Sequence, residues 1–272
     1  MTEALLPKKV RTSHLSEFKQ TGQKFSCLTS YDSITAGIFD EAGIEVILVG
    51  DSAADNALGY STTLPITVDE MIPFGRAVAG AVSRGLVVVD MPFGSYEVSS
   101  EQALENAIRI MKNTGADAVK LEGGIRSIAQ IEALTTAGIP VMAHIGFTPQ
   151  SVNNLGGFKV QGRGEGADEL LADAMAVSSA GAFAVVLELV PAELAKQVTE
   201  ECGIPTIGIG AGPDTDGQIL VWTDFAGLSG HKLKKFVKQY AQLRTTLVEA
   251  AREYRSDIST GIFPGQDRSF GA

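Results

Sequence analysis

Seven residues able to bind a metal, move a proton or hold an anion stand at or near the ends of short apolar runs. Asp51 and Ser52 come after Val46-Ile-Leu-Val49 and a glycine, Asp90 after Leu86-Val-Val-Val89, and His144 after Val141-Met-Ala143. Lys120 and Glu122 lie around the end of Ala118-Val-Lys-Leu121, and Glu188 closes Ala184-Val-Val-Leu187. A lone aspartate after an apolar run is most simply a turn residue. Recurrence is what makes the set informative.

If Asp51, Asp90 and Glu122 share one cavity, their like charges repel and are costly to desolvate unless a cation sits between them. An all-oxygen set with at most one histidine nearby favours Mg²⁺ over Zn²⁺. A purely structural network of acids is the competing reading. Glu188, with apolar residues on both sides, suits a general base, or else a buried partner for Lys120. Lys120 itself could hold a substrate carboxylate or act as a Schiff-base amine, and metal ligands close by favour the first. His144 is as readily a satisfied hydrogen-bonding residue as a catalyst.

These residues converge only if the elements carrying them do. The phrases Ala42-Gly43, Thr114-Gly115, Ala137-Gly138, Ala180-Gly181 and Cys202-Gly203 each follow a helix-like segment and precede an apolar run, as when a helix ends at a glycine before a strand. The strands expected are 25–29, 46–49, 86–89, 118–121, 141–143, 184–187, 206–209 and 219–222, after a polar leader with one short helix. Thr67-Val-Asp-Glu70 and Ser99-Ser-Glu-Gln102 read as helix-starting capping boxes, and Pro191 as a first helical residue. A last helix is expected after Ser229, with Leu233, Phe236, Val237, Tyr240, Leu243 and Leu247 on one apolar face. Eight such units in 272 residues fit a single-domain (β/α)8 barrel, with an open doubly wound sheet as the alternative. A barrel gathers all its strand ends around one mouth.

Composition narrows the function. Hydrophobic residues at 44% and charged ones at 20% describe a soluble globular protein, and a net charge of −10 argues against a nucleic-acid or anionic-membrane partner. No signal peptide or window of roughly 18 apolar residues is apparent, so a cytoplasmic protein is expected. Cys27 and Cys202 read as small core residues. The glycine-rich segment from Ser151 to Gly164 is long for a βα connection and could act as a lid. Ile207-Gly-Ile-Gly-Ala-Gly-Pro213 lacks the lysine and hydroxyl residue of a phosphate loop, so its glycines fit close approach of a flat substrate at least as well.

Several phrases together are specific: Val49-Gly-Asp-Ser52, Asp90-Met-Pro-Phe93, Val119-Lys-Leu-Glu-Gly-Gly124, His144-Ile-Gly-Phe-Thr-Pro-Gln-Ser-Val-Asn153, Lys159-Val-Gln-Gly-Arg-Gly164 and Glu188-Leu-Val-Pro191. Through them nearly the whole chain resembles the ketopantoate hydroxymethyltransferase family. The resemblance implies a Mg²⁺-dependent (β/α)8 enzyme that moves a one-carbon unit from 5,10-methylenetetrahydrofolate to 3-methyl-2-oxobutanoate. It implies Asp51 and Asp90 as metal ligands, with Glu122 completing the site through water. Ser52, Asp90 and Lys120 are implied to hold the keto acid, Glu188 to accept a proton and His144 to lie near the substrate. A homo-oligomer, typically a decamer, is also implied. Departures at Ala53–Gly59, Ser61 and Gln266–Phe270 bear on mouth packing and folate affinity. Two other readings are a Mg²⁺-dependent lyase of the phosphoenolpyruvate mutase/isocitrate lyase kind and a non-catalytic keto-acid-binding protein. The first needs a mouth-loop cysteine or a phosphate clamp, and neither is apparent.

Overall fold

A computed structural model describes residues 8–230 and 233–271. Eight parallel strands close into a barrel in sequence order: β1 (Phe25–Thr29), β2 (Val46–Val49), β3 (Leu86–Asp90), β4 (Ala118–Glu122), β5 (Val141–Gly146), β6 (Ala184–Glu188), β7 (Thr206–Ile209) and β8 (Gly217–Leu220), with β8 pairing back on β1. The helices between them include α1 (Thr12–Thr21), α2 (Ser33–Glu41), the short α3 (Ala53–Asn56), α4 (Val68–Ala81), α5 (Ser100–Thr114) and α6 (Ile128–Thr136). Then come the short α7 (Val152–Leu155), α8 (Gly166–Ser179) and α9 (Ala192–Glu201). The expected (β/α)8 class is therefore the observed one, and the open sheet is excluded by closure.

Local chemistry explains the boundaries. Gly43, Gly115, Gly138 and Gly181 all adopt positive φ after a helix, a conformation that costs glycine little. Thr67 and Glu70 form a reciprocal box at the start of α4, the Glu70 amide donating to Thr67 Oγ1 and the Thr67 amide to Glu70 Oε2. At α5 the Gln102 amide donates to Ser99 Oγ, while the Gln102 side chain accepts from Val98 instead of Ser99. Pro191 caps α9 one residue before the position expected.

The barrel interior is filled by alternate strand residues, as the period of two requires. Phe25 and Cys27, Val46 and Leu48, Leu86 and Val88, Ala118, Met142, Ala184 and Val186, Ile207 and Ile219 form one buried cluster. Continuing the alternation toward the C-terminal ends gives Asp90 on β3, Lys120 and Glu122 on β4, His144 on β5 and Glu188 on β6. The candidate site is thus the top interior layer of the barrel, where the apolar filling gives way to charge.

Two expectations need correction. The eighth strand runs Gly217–Leu220, not 219–222, and Trp222 opens a short helix, α10 (Trp222–Phe225). Apolar content favoured the later residues, but the Phe25 ring packs so closely on Gly217 that a Cβ there would lie 2.5 Å from it. The strand therefore needs glycine at its first position. The last helix, α11, is Leu243–Thr260 and starts well after Ser229. Before it the Tyr240 amide donates to the Phe225 carbonyl and the two rings stack at 5.1 Å, a turn that helical backbone could not make. Residues 231 and 232, inside the expected span, lie outside the described residues. The chain divides into two compact units, Met1–Val221 and Trp222–Ala272, the first containing the whole barrel.

Candidate active site

Asp51 enters the mouth by a turn. β2 puts Gly50 at the interior position, where a Cβ would lie 2.8 Å from Ser52 Oγ and 3.5 Å from Asp90 Oδ2. Lacking that Cβ, the chain turns so that the Asp51 amide donates to Asp90 Oδ2 at 2.9 Å. Ser52 follows, half-buried, with its hydroxyl 2.7 Å from the buried Tyr31 hydroxyl, which also accepts from Thr29. Strand register brings the remaining groups together. Asp90 is the partner of Lys120, Glu122 of His144, and Gly146 of Glu188.

All of these groups except Ser52 are buried. Lys120 Nζ lies 2.9 Å from Asp90 Oδ1 and 3.3 Å from His144 Nδ1. His144 bridges two carboxylates, with Nδ1 3.4 Å from Glu122 Oε1 and Nε2 3.2 Å from Glu188 Oε2. Glu188 therefore partners His144, whereas Lys120 pairs with Asp90. The contacts are close but badly directed: Asp90 Oδ1, Glu122 Oε1 and His144 Nε2 are buried without a well-formed hydrogen bond. Side chains that catalyse often align fully only around substrate.

The electrostatics follow from burial and crowding. Asp51 is pushed up to about 8, first by burial and then by the charges of Asp90 and Glu122. Asp90 is also raised by burial, even with Lys120 beside it. Burial alone would lower Lys120, but Asp90, Glu122 and Asp51 outweigh it and hold the ammonium above its ordinary range. That counts against a Schiff-base role, which needs a lysine made neutral. His144 is pushed up to about 9, since Glu122 and Glu188 overcome burial and the nearby Lys120.

The residues fit a hard divalent cation. Asp51 and Asp90 are adjacent buried carboxylates whose ionised forms repel each other, and Mg²⁺ is commonly held by one or two carboxylates, with waters and substrate oxygens completing its shell. Among the described residues no three acidic, histidine or cysteine side chains gather closely enough to cage an ion alone. Glu122 instead turns to His144 and to the amide of Gln150.

Two polar residues at the site carry no signal of strand-end spacing. Gln150 lies four residues beyond β5, in the 3₁₀ turn Pro149–Ser151, and Tyr96 comes from the loop after β3. Both are buried against the acids. With Phe93, Glu97, Glu122, Arg126, Ser127, Gln130 and Ser151 they also line a cavity of about 230 Å³. Glycines within and after β7 serve packing, since a Cβ on Gly208 would lie 2.7 Å from Thr215 Oγ1 and one on Gly212 2.5 Å from Ala192 Cβ.

A closed parallel barrel with buried acid, base and cation groups at the C-terminal ends of its strands defines an enzyme of the (β/α)8 class. The model of the ketopantoate hydroxymethyltransferase family matches residues 9–266, and the chain belongs to that family. It is similar to the 3-methyl-2-oxobutanoate hydroxymethyltransferase of Leifsonia xyli subsp. xyli, at 60% identity covering 97% of this chain and 95% of that protein. The protein of the same name from Mycobacterium tuberculosis is 58% identical, covering 96% and 93%. Among solved structures, phosphonopyruvate hydrolase in complex with oxalate and Mg²⁺ matches with a TM-score of 0.61 at 14% identity, covering 95% of this chain and 93% of that one. The 2,3-dimethylmalate lyase of the phosphoenolpyruvate mutase/isocitrate lyase superfamily matches at 0.58 and 17%, covering 96% and 91%. At such identities the last two share the fold alone, whereas the family match makes the chain a transferase. Among the described residues no helix is long and apolar enough to cross a membrane.

Proposed function

We propose that this chain transfers a one-carbon unit from 5,10-methylenetetrahydrofolate to 3-methyl-2-oxobutanoate, giving 2-dehydropantoate and tetrahydrofolate in pantothenate biosynthesis. The observation that carries this reading is the division of the mouth into two halves. Asp51 and Asp90 form an acidic pair on one side, and the Glu188–His144 pair lies two strands further round. Asp51 and Asp90 would hold Mg²⁺, with Glu122 acting through water. When bound, Mg²⁺ supplies positive charge that lowers the cost of an enolate oxygen.

The chain's own groups do the rest. Lys120 offers a permanent ammonium to the keto-acid carboxylate, and Ser52, 2.7 Å from the Tyr31 hydroxyl, places a second hydroxyl group beside the substrate. Glu188 removes the proton from C3, with His144 Nε2 3.2 Å from its Oε2. The carbon so activated bonds to the folate methylene carbon as one of its two carbon–nitrogen bonds breaks. Water then displaces the second nitrogen and becomes the product hydroxyl. The proton taken by Glu188 and one proton of that water end on the two nitrogens of the departing tetrahydrofolate. We assign the reaction to a homo-oligomer in the cytoplasm, a decamer on the family's pattern.

Product formation from the two substrates, measured with and without EDTA, tests the reading together with exchange of the C3 proton in D₂O. EDTA should abolish both, and Glu188→Gln should slow exchange by roughly 10²–10⁴-fold, the range for loss of a general base. Near-normal exchange in that variant would overturn the assignment of Glu188.

A further inference from the structure

The buried polar group least explained by the proposed reaction is the side chain of Gln150. It is 6% exposed, yet both donors of its amide group and the amide oxygen are engaged. Nε2 donates to Asp51 Oδ2 at 3.0 Å and to the Met91 carbonyl at 3.1 Å. Oε1 accepts from the Tyr96 hydroxyl, and that hydroxyl accepts in turn from the Glu122 amide at 3.2 Å. The Gln150 amide donates to Glu122 Oε2 at 3.0 Å. One residue thus ties together the ends of β2, β3 and β4.

The orientation of this amide follows from chemistry. A backbone carbonyl only accepts, so the end that meets both Met91 O and Asp51 must be the NH₂, which leaves the oxygen for the Tyr96 hydroxyl. The amide therefore occupies one oxygen of Asp51 and leaves the other for a ligand. Without it Asp51 could rotate about its side-chain torsions and turn either oxygen away from Asp90. A neutral amide also fixes the carboxylate without neutralising it, which a lysine at this position would do.

We propose that Gln150, held by Tyr96, is a positioning residue that fixes the Asp51 carboxylate for a divalent cation and thereby sets the affinity of the site for metal. The inference rests on the metal-dependent reading above. It concerns binding of the metal before any substrate is present. Partners of this kind, one bond removed from the ion, typically contribute roughly 10–100-fold in metal affinity.

The test is Mn²⁺ binding to the substrate-free full chain, followed by electron paramagnetic resonance, for wild type, Gln150→Met and Tyr96→Phe. Gln150→Met keeps length and burial but removes both donors. It should weaken Mn²⁺ binding roughly 10–100-fold while circular dichroism stays native. Tyr96→Phe removes only the hydroxyl that orients the amide and should weaken binding by about threefold or more, a lesser loss of the same kind. A natively folded Gln150→Met with wild-type Mn²⁺ affinity overturns the inference, because a merely structural residue would change the melting point and not the affinity. If that variant does not fold, Tyr96→Phe decides on the same criterion. Wild type that binds no Mn²⁺ removes the metal reading itself and this inference with it, a result distinct from a variant that binds normally.

Discussion

The two ends of the barrel both hold buried or half-buried carboxylates, and they treat them oppositely. At the N-terminal ends of the strands the chain supplies a directed donor for each acid. Asp216 accepts from the Thr206 amide at 2.9 Å, the Thr206 hydroxyl at 3.1 Å and Lys19 at 3.0 Å. Asp117 accepts from the Val87 amide and from Lys9, both at 2.9 Å. Glu45 takes the amide and hydroxyl of Ser26 at 2.8 and 2.7 Å. Asp40 is held below its ordinary value because donors from Ser83, Arg84 and Gly85 outweigh burial, the largest opposing effect. At the mouth Asp51 and Asp90 are pushed the other way, and the acid oxygens Asp90 Oδ1 and Glu122 Oε1 have no well-directed donor, whereas at the base the atoms so left are the Arg84 donors Nε and Nη2 and not an acid. Identical residue types therefore mark stability at one end and unfinished business with a ligand at the other. A barrel separates the two roles in this way because its loops at the C-terminal face vary while its base must stay closed.

Substitutions at the two ends should separate cleanly. Asp51→Asn is expected to lose Mg²⁺-dependent turnover altogether with a native circular dichroism spectrum, and full activity would sink its place as a ligand. The same change should raise the melting point of the metal-free protein at pH 8–9, since it removes a carboxylate that resists ionisation. Asp216→Ala at the base should do the reverse. It strands Lys19 and the Thr206 donors, costing about 3 kcal/mol by the precedent of broken buried pairs, with turnover per folded molecule retained. Chemical denaturation alongside active-site titration measures both, and equal behaviour of the two variants would erase the distinction between the ends.

A smaller effect is expected from pH. His144 has a folded value of about 9 against an ordinary 6.5, so its contribution is complete below 6.5 and is lost as pH rises through 9. Asp51 is raised to about 8 from 3.8, and a raised carboxyl likewise favours the folded chain at low pH and loses that advantage as pH climbs toward 8. Both act in one direction, so the melting point of the metal-free protein should fall from pH 6.5 to 9. Added Mg²⁺ should flatten the fall by taking over the Asp51 charge. A melting point independent of pH across that window would show that the mouth is no more strained than the base.

The smallest effect concerns the segment from Ser151 to Gly164. It contains α7, its Phe158 ring rests 4.4 Å from the buried Phe147, and its Gln161 amide donates to Leu189 O at 2.9 Å. Leu189, next to Glu188, is itself at φ 50, a conformation unusual for leucine. If this segment closes over the mouth, its amides should exchange more slowly with keto acid and Mg²⁺ bound, while those around Asp216 stay unchanged. Uniform exchange with and without ligand would count against the lid.

Much of this protein is determined locally, and the sequence alone carries that part. Apolar runs of four or five residues, closed by glycines that end helices, specify alternating strands and helices because the patterns of burial and turn chemistry are short-range. The same runs expose Asp51, Asp90, Lys120, Glu122, His144 and Glu188 as groups at the ends of strands. Where packing and not pattern decides, sequence reasoning slips. The first residue of β8 depends on the Phe25 ring, and the start of α11 follows a turn locked by Tyr240 on Phe225. Pairing within the site is likewise tertiary, because register across β3 to β6 chooses Asp90 for Lys120 and leaves Glu188 to His144. Gln150 and Tyr96 reach Asp51 and Glu122 from loops, at sequence separations of 99 and 26 residues, so no periodicity could have revealed them. The sequence alone determined which strand-end residues stand at the mouth, because the runs and turns that carry them are local. Only the closed barrel decided which of them touch, because contact between strand ends depends on register and loop path.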